Sequence, residues 1–194
     1  YGPALLIPAY TEPDLSVGRI TKFSPGTKEN GAVFCHAVAF KIVADCLAGR
    51  GDKAYMSFRG IMPNIKETDR YKAEPYVFAE YLVGPEHPYL FGEGAFTWLT
   101  GTAGWMFMAA TEYILGARRD YDGLRIDPCL PSSWENARII RPFRGDIYDI
   151  VIENPEHVNK GVKEIYVDGK RIEGNIIKPF GDGKIHNVRV VLGD

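Results

Sequence analysis

The chain has 194 residues, 45% hydrophobic and 25% charged, a globular composition with enough length for one or two packed domains. With 23 Lys and Arg against 25 Asp and Glu, no net field draws it to nucleic acid or to an anionic membrane. No apolar run approaches the roughly 20 residues that span a bilayer, and Cys35, Cys46 and Cys129, without CxxC spacing, favour buried thiols in a reducing, cytoplasmic compartment.

The chain opens on Tyr1 without a charged-then-apolar leader, and the expectation is the tail of a longer protein. Up to about residue 117 the apolar residues recur at helical spacing. A first helix is predicted from about Gly31 to Ala48, and a second from Lys53 with Asp52 as its N-cap. A third starts near Glu74 with Pro75 in its first turn. In the fourth, "WLTGTAGWMFMAATEYILGARRD", Thr100 to Thr102 form the cap, the body is apolar nearly all round, and Arg118 and Arg119 face the negative end of the helix dipole. A helix apolar on most faces needs a surround that four helices do not supply, so more protein is expected around it. Beyond residue 117 come alternating runs, "ARIIRPF", "DIYDIVIEN", "VKEIYVDGKRI" and "HNVRVVLG", with Asp168-Gly169 as a hairpin signal. An antiparallel sandwich is the natural reading.

Thr100, Gly101 and Thr102 offer backbone N–H groups, hydroxyls and a positive dipole end, which suits an anion and equally suits an ordinary helix cap. His36 lies on an otherwise apolar helix, where it can meet an anion, act as acid or base, or bond to a core carbonyl. His87, His157 and His186 are scattered, against a zinc site. Lys28 and Glu29, in a Gly-containing loop, are types that read sugar hydroxyls or cap a helix. Glu74, Glu80, Glu86 and Glu93 alternate with Tyr76, Phe78, Tyr81, Tyr89 and Phe91, the mixture of carboxylates and rings found in sugar clefts, although half of such rings belong to any core. There is no GxSxG, P-loop or GxGxxG.

Taken together, "GTKENGAVFCH", "EPYVFAEYLVGP", "GEGAFTWLTGTAGWMF", "TEYILGARRDYDGLRIDPCLP" and "RPFRG" resemble the cellobiose phosphorylase family of inverting glycoside phosphorylases, glycoside hydrolase family 94, over nearly the whole chain. The resemblance implies an α+β multidomain protein: the last helices of an (α/α)6 barrel over residues 1–117, then a C-terminal antiparallel β-sandwich over 118–194. It implies phosphorolysis of a β-linked glucosyl disaccharide or oligosaccharide to α-glucose 1-phosphate, with phosphate as nucleophile and no metal or organic cofactor. By resemblance, His36, Thr100 and Gly101 bind phosphate, Lys28 and Glu29 line the acceptor site, and Phe23 supplies an aromatic ring beside that sugar.

Two departures stand out. Glu80 occupies a donor-site position where cellobiose and chitobiose phosphorylases often carry glutamine, so its carboxylate is expected either to face sugar hydroxyls or to have taken on a different role. No segment matches the one carrying the family's general-acid aspartate, so no catalytic acid is assigned in this chain; an N-terminal segment of the same enzyme is expected to supply it, in a homodimer. Two alternatives remain: an inverting barrel hydrolase with Glu93 or Glu74 as general base, and a non-catalytic carbohydrate-binding remnant.

Overall fold

The computed structural model describes residues 1–193, and the chain divides into two compact units. One comprises Tyr1–Ile42 with Met56–Met106, the other Val43–Tyr55 with the chain from Phe107 onward.

Strand β1 (Val33–Phe34), in the first unit, runs directly into helix α1 (Cys35–Leu47), whose residues from Val43 belong to the second. Cys35, Val38, Ala39, Ile42 and Cys46 recur at helical spacing and are all buried. The helix starts four residues later than the sequence suggests because the segment before it is already bonded elsewhere: the Leu5 N–H donates to the Ala32 carbonyl (2.8 Å), and the Cys35 N–H to the Glu80 carbonyl (2.8 Å). Helix α2 (Gly51–Ile61) carries Asp52 inside its first turn rather than at the cap. That carboxylate instead accepts the backbone N–H (2.8 Å) and hydroxyl (3.0 Å) of Ser132 and the Asn159 amide (3.1 Å).

The helix expected at Glu74 is absent. A 3-10 turn at Pro63–Ile65 and a single turn α3 (Thr68–Tyr71) precede that position, and Lys72, with φ 53°, ends the turn. The Tyr71 hydroxyl donates to the Val77 carbonyl (2.5 Å), fixing the segment as a loop, and burial pushes its pKa up to about 12. This loop delivers β2 (Tyr81–Leu82), which pairs antiparallel with both β1 and β3 (Gly94–Ala95). Helix α4 (Thr102–Met108) is followed by a π-helical stretch, Ala109–Ile114.

Arg118 and Arg119 do not stand at the end of that helix; they lie in β4 (Ala117–Arg119). The chain turns at Gly116, whose φ of +69° and closeness to Pro128 leave no space for a side chain, and the Gly116 carbonyl accepts the Asp127 N–H (2.9 Å). The remaining strands are β5 (Leu124–Ile126), β6 (Asn136–Phe143), β7 (Asp146–Glu153), β8 (Val162–Val167), β9 (Lys170–Ile172), β10 (Ile176–Ile177) and β11 (Ile185–Leu192). They form a three-stranded antiparallel sheet, β10-β5-β4, and a five-stranded sheet, β6-β7-β11-β8-β9.

The larger sheet is not wholly antiparallel, because β11 inserts beside β7 in the same direction. Asp146 fixes that path. It accepts the N–H groups of Phe180, Gly181, Asp182 and Gly183 at 2.9, 2.8, 3.0 and 3.1 Å, folding the loop before β11 over the start of β7. Alternate residues, Tyr148, Ile150 and Ile152 on β7 with Val188, Val190 and Leu192 on β11, are buried. The Asp168-Gly169 hairpin between β8 and β9 forms as expected, with φ of 50° and 78°. All three cysteines are free and buried. Among the described residues no helix is long and apolar enough to cross a membrane.

Candidate functional site

The candidate phosphate and sugar residues, Phe23, Lys28, Glu29, His36, Glu80, Thr100 and Gly101, all belong to the first unit. The Lys28-Glu29-Asn30 loop is pinned by Asn30, which is wholly buried: its amide donates to the carbonyls of Tyr10 (2.9 Å) and Phe23 (2.7 Å), and its oxygen accepts the Tyr10 N–H (2.8 Å). Gly26, at φ +79°, lies so close to the His87 backbone that a side chain there would meet it at 2.7 Å. With both anchors set, Lys28 takes a left-handed conformation, φ 48°, and turns toward Phe23. Arg19, Ile20, Phe23, Lys28 and Glu29 line a cavity of about 400 Å³, enough for a monosaccharide.

Glu29 reaches into this region with a buried carboxylate oxygen, Oε2, that has no hydrogen-bond partner. An orphaned carboxylate oxygen is costly unless something occupies the space before it. Glu80 is held by its backbone, its N–H donating to Ala95 (3.0 Å) and its carbonyl accepting from Cys35 (2.8 Å), while its half-buried carboxylate bonds to none of the described residues. Burial, followed by the charges of Glu80 and Glu29, pushes the Tyr81 phenol up. The two carboxylates therefore act on one region.

His36, one turn into the β1–α1 segment, packs its ring against Phe40 (5.0 Å between centroids) and Trp105 (5.8 Å). Its Nε2 is buried and unpartnered. It is not turned onto a core carbonyl: a methyl group placed on Gly101 would lie 3.8 Å from Nε2 and 3.6 Å from Cε1. Gly101 is the N-cap of α4, its carbonyl accepting the Trp105 N–H (3.1 Å). The Thr100 hydroxyl accepts the Thr102 N–H (3.1 Å) and shares a 2.6 Å hydrogen bond with the Thr102 hydroxyl. Thr100 thus caps the helix while Gly101 lies beside the His36 ring. The α-helical part of α4 is only seven residues, so the dipole is weaker than the long apolar run suggested.

The carboxylates of the hydrolase alternative are engaged. Glu93 is ion-paired with Lys72, and Glu74 accepts the Trp98 indole N–H (3.1 Å). Hydrogen bonds from its own backbone and from Trp98 hold Glu74 below the usual carboxylate range. Two residues were missed in the sequence. Asn30 carried a signal as the third member of Lys-Glu-Asn; Phe96, whose ring lies 4.1 Å from the Lys28 ammonium, carried none.

A model of the Glycosyl hydrolase 94 superfamily catalytic domain matches residues 1–116. The chain is 47% identical over 192 residues to a solabiose phosphorylase of Paenibacillus borealis, covering 98% of this chain and 25% of that protein. It is 40% identical to an N,N'-diacetylchitobiose phosphorylase of Vibrio proteolyticus (100% and 24%), and 34% identical to a 3-O-beta-D-glucopyranosyl-beta-D-glucuronide phosphorylase of Paenibacillus borealis (99% and 25%). The chain thus spans about a quarter of the length of these curated relatives. A family model matching more than half of the chain, over the segment that carries Lys28, Glu29, His36 and Gly101, makes this chain a member of the Glycosyl hydrolase 94 superfamily.

Proposed function

We propose that the chain is the C-terminal portion of a glycoside phosphorylase that converts a β-linked, cellobiose-like glucosyl disaccharide or oligosaccharide into α-glucose 1-phosphate by an inverting displacement. The observation that carries this reading is the pair of orphaned atoms, Glu29 Oε2 and His36 Nε2, at the positions that the family resemblance assigns to acceptor and phosphate. Two buried polar atoms without partners are what a site preorganised for two polar substrates leaves when empty. The names of the relatives supply the reaction class.

In this reading phosphate lies against His36, the Gly101 backbone and the Thr100 hydroxyl, and attacks the anomeric carbon from the face opposite the leaving sugar. Glu29 and Lys28 hold hydroxyls of that sugar, with Phe23 beside it, and Glu80 faces donor hydroxyls. The general acid comes from an N-terminal segment outside these 194 residues, so the chain alone is inactive. Residues 1–117 complete an (α/α)6 barrel with that segment, 118–194 form the sandwich domain, and the enzyme works as a cytoplasmic homodimer without metal or cofactor.

The test is the rate of the complete enzyme with disaccharide fixed and phosphate varied, in wild type and His36→Ala. We expect a raised phosphate KM in the variant with acceptor KM in the reverse reaction nearly unchanged. Equal phosphate KM values in two folded proteins reject the assignment of His36.

A further inference from the structure

Lys28 is a cation without a carboxylate. Among the described residues no Asp or Glu lies within ion-pair distance of its ammonium, whose neighbours are two ring faces, Phe96 at 4.1 Å from the centroid and Phe23 at 5.7 Å. The difference matters for a group meant to bind hydroxyls. A carboxylate would neutralise the charge and occupy N–H donors, whereas a ring face attracts the ammonium through its quadrupole and leaves donors directed elsewhere.

Phe96 packs one side of its ring near Tyr81 (6.1 Å between centroids), yet much of it stays in solvent. It follows β3 directly, it is 47% exposed, and its backbone is in the left-handed region at φ 54°. Trp98, two residues on, is also left-handed at φ 68° and 70% exposed, and its indole is tied to Glu74. A left-handed backbone is rare for bulky aromatic residues, and two in three positions is strain held by the surrounding structure. Pairing of β3 with β2 and the Glu74 tether hold this loop, and the result is a ring set over Lys28.

We propose that Phe96 is a positioning residue of the acceptor site, acting through Lys28: its ring fixes the ammonium uncapped, with its donors free for hydroxyls of the leaving sugar. The idea rests on the acceptor site described under Proposed function. Removing the ring frees a four-carbon side chain that must then be ordered by the sugar itself, so the loss falls on acceptor binding.

The experiment is a double-mutant cycle in the complete enzyme with Phe96→Leu and Lys28→Met, reading the acceptor KM in the synthetic direction and the phosphate KM in phosphorolysis. Phe96→Leu is expected to raise the acceptor KM about two- to tenfold, to leave the phosphate KM unchanged, and to have no further effect on top of Lys28→Met; Phe96→Tyr restores the wild-type value. An equal effect of Phe96→Leu with and without Lys28 overturns the proposal. A second reading needs no turnover: with 13C-methylated lysines, the Lys28 methyl resonance is expected upfield of the exposed lysines in wild type and with them in Phe96→Leu. An unshifted wild-type resonance overturns the proposal even in an active enzyme, and a shifted one in an enzyme without phosphorolysis locates the failure in the functional reading instead.

Discussion

Gly101→Ala separates a site glycine from a structural one. A methyl group there meets His36 Cε1 at 3.6 Å, Trp105 Cδ1 at 3.6 Å and His36 Nε2 at 3.8 Å, all ordinary contacts, and the backbone is not in the left-handed region. The fold therefore tolerates it, at about 1 kcal/mol for alanine in place of glycine at an N-cap. The methyl nevertheless lies 3.8 Å from Nε2, beside which we place a phosphate oxygen. Losing a hydrogen bond to a charged group costs about 1.5–3 kcal/mol, which raises the phosphate KM of the complete enzyme about 10- to 150-fold. Gly104→Ala, in the same helix with nothing within 4 Å, is the control: a gain of up to about 1 kcal/mol in stability and an unchanged phosphate KM. Initial rates against phosphate, with thermal melts of both variants, decide the matter. A folded Gly101→Ala enzyme with wild-type phosphate KM would refute the reasoning.

Other substitutions test separate parts of the structure. Glu29→Gln should raise the acceptor KM in synthesis more than the phosphate KM, because Glu29 lines the cavity we assign to the acceptor; equal rises in both remove it from that role. Glu80→Gln should keep activity and lower the phosphate KM slightly by removing a negative charge; a folded but inactive variant shows that the carboxylate is essential. In the second unit, buried Glu112 accepts from Arg119 Nε (2.9 Å) and from the mostly buried Arg141 (2.8 Å), so Glu112→Ala should destabilise by about 3 kcal/mol or more, and by less when Arg141→Met accompanies it, as read by denaturant unfolding. His186 donates to Asp168 (2.7 Å) and Asp182 (3.2 Å), chiefly the former raising its pKa above 6.5. Its charged form therefore stabilises fully below pH 6.5 and loses that contribution as pH rises through the raised folded value. The Tm advantage of wild type over His186→Gln should therefore shrink as pH is raised above 6.5, and an advantage that grows with pH contradicts this.

What the sequence makes legible depends on how local the cause is. The Asp168-Gly169 turn needs only two residues able to adopt positive φ, and it appears where expected. The supposed helix at Glu74 fails because Pro75 fits a first helical turn and a loop equally well, and the choice is made by Tyr71 bonding to Val77. The parallel entry of β11 is hidden because strand alternation carries no direction; the deciding contact is Asp146 with backbone N–H groups 34 to 37 residues away. The nearness of His36 to Gly101, 65 positions apart, likewise has no periodic signature, and only the family resemblance joined them. Phe96 is an exposed ring whose meaning comes from Lys28, brought beside it by the pairing of three two-residue strands.

The most direct measurement is a product assay on the complete enzyme with a β-linked glucosyl disaccharide, with and without inorganic phosphate, followed by 31P and 1H NMR. The account predicts that the disaccharide is cleaved only when phosphate is present, and that the sugar phosphate formed is the α-anomer. Free glucose released at the same rate without phosphate, or a β-anomeric phosphate, contradicts it.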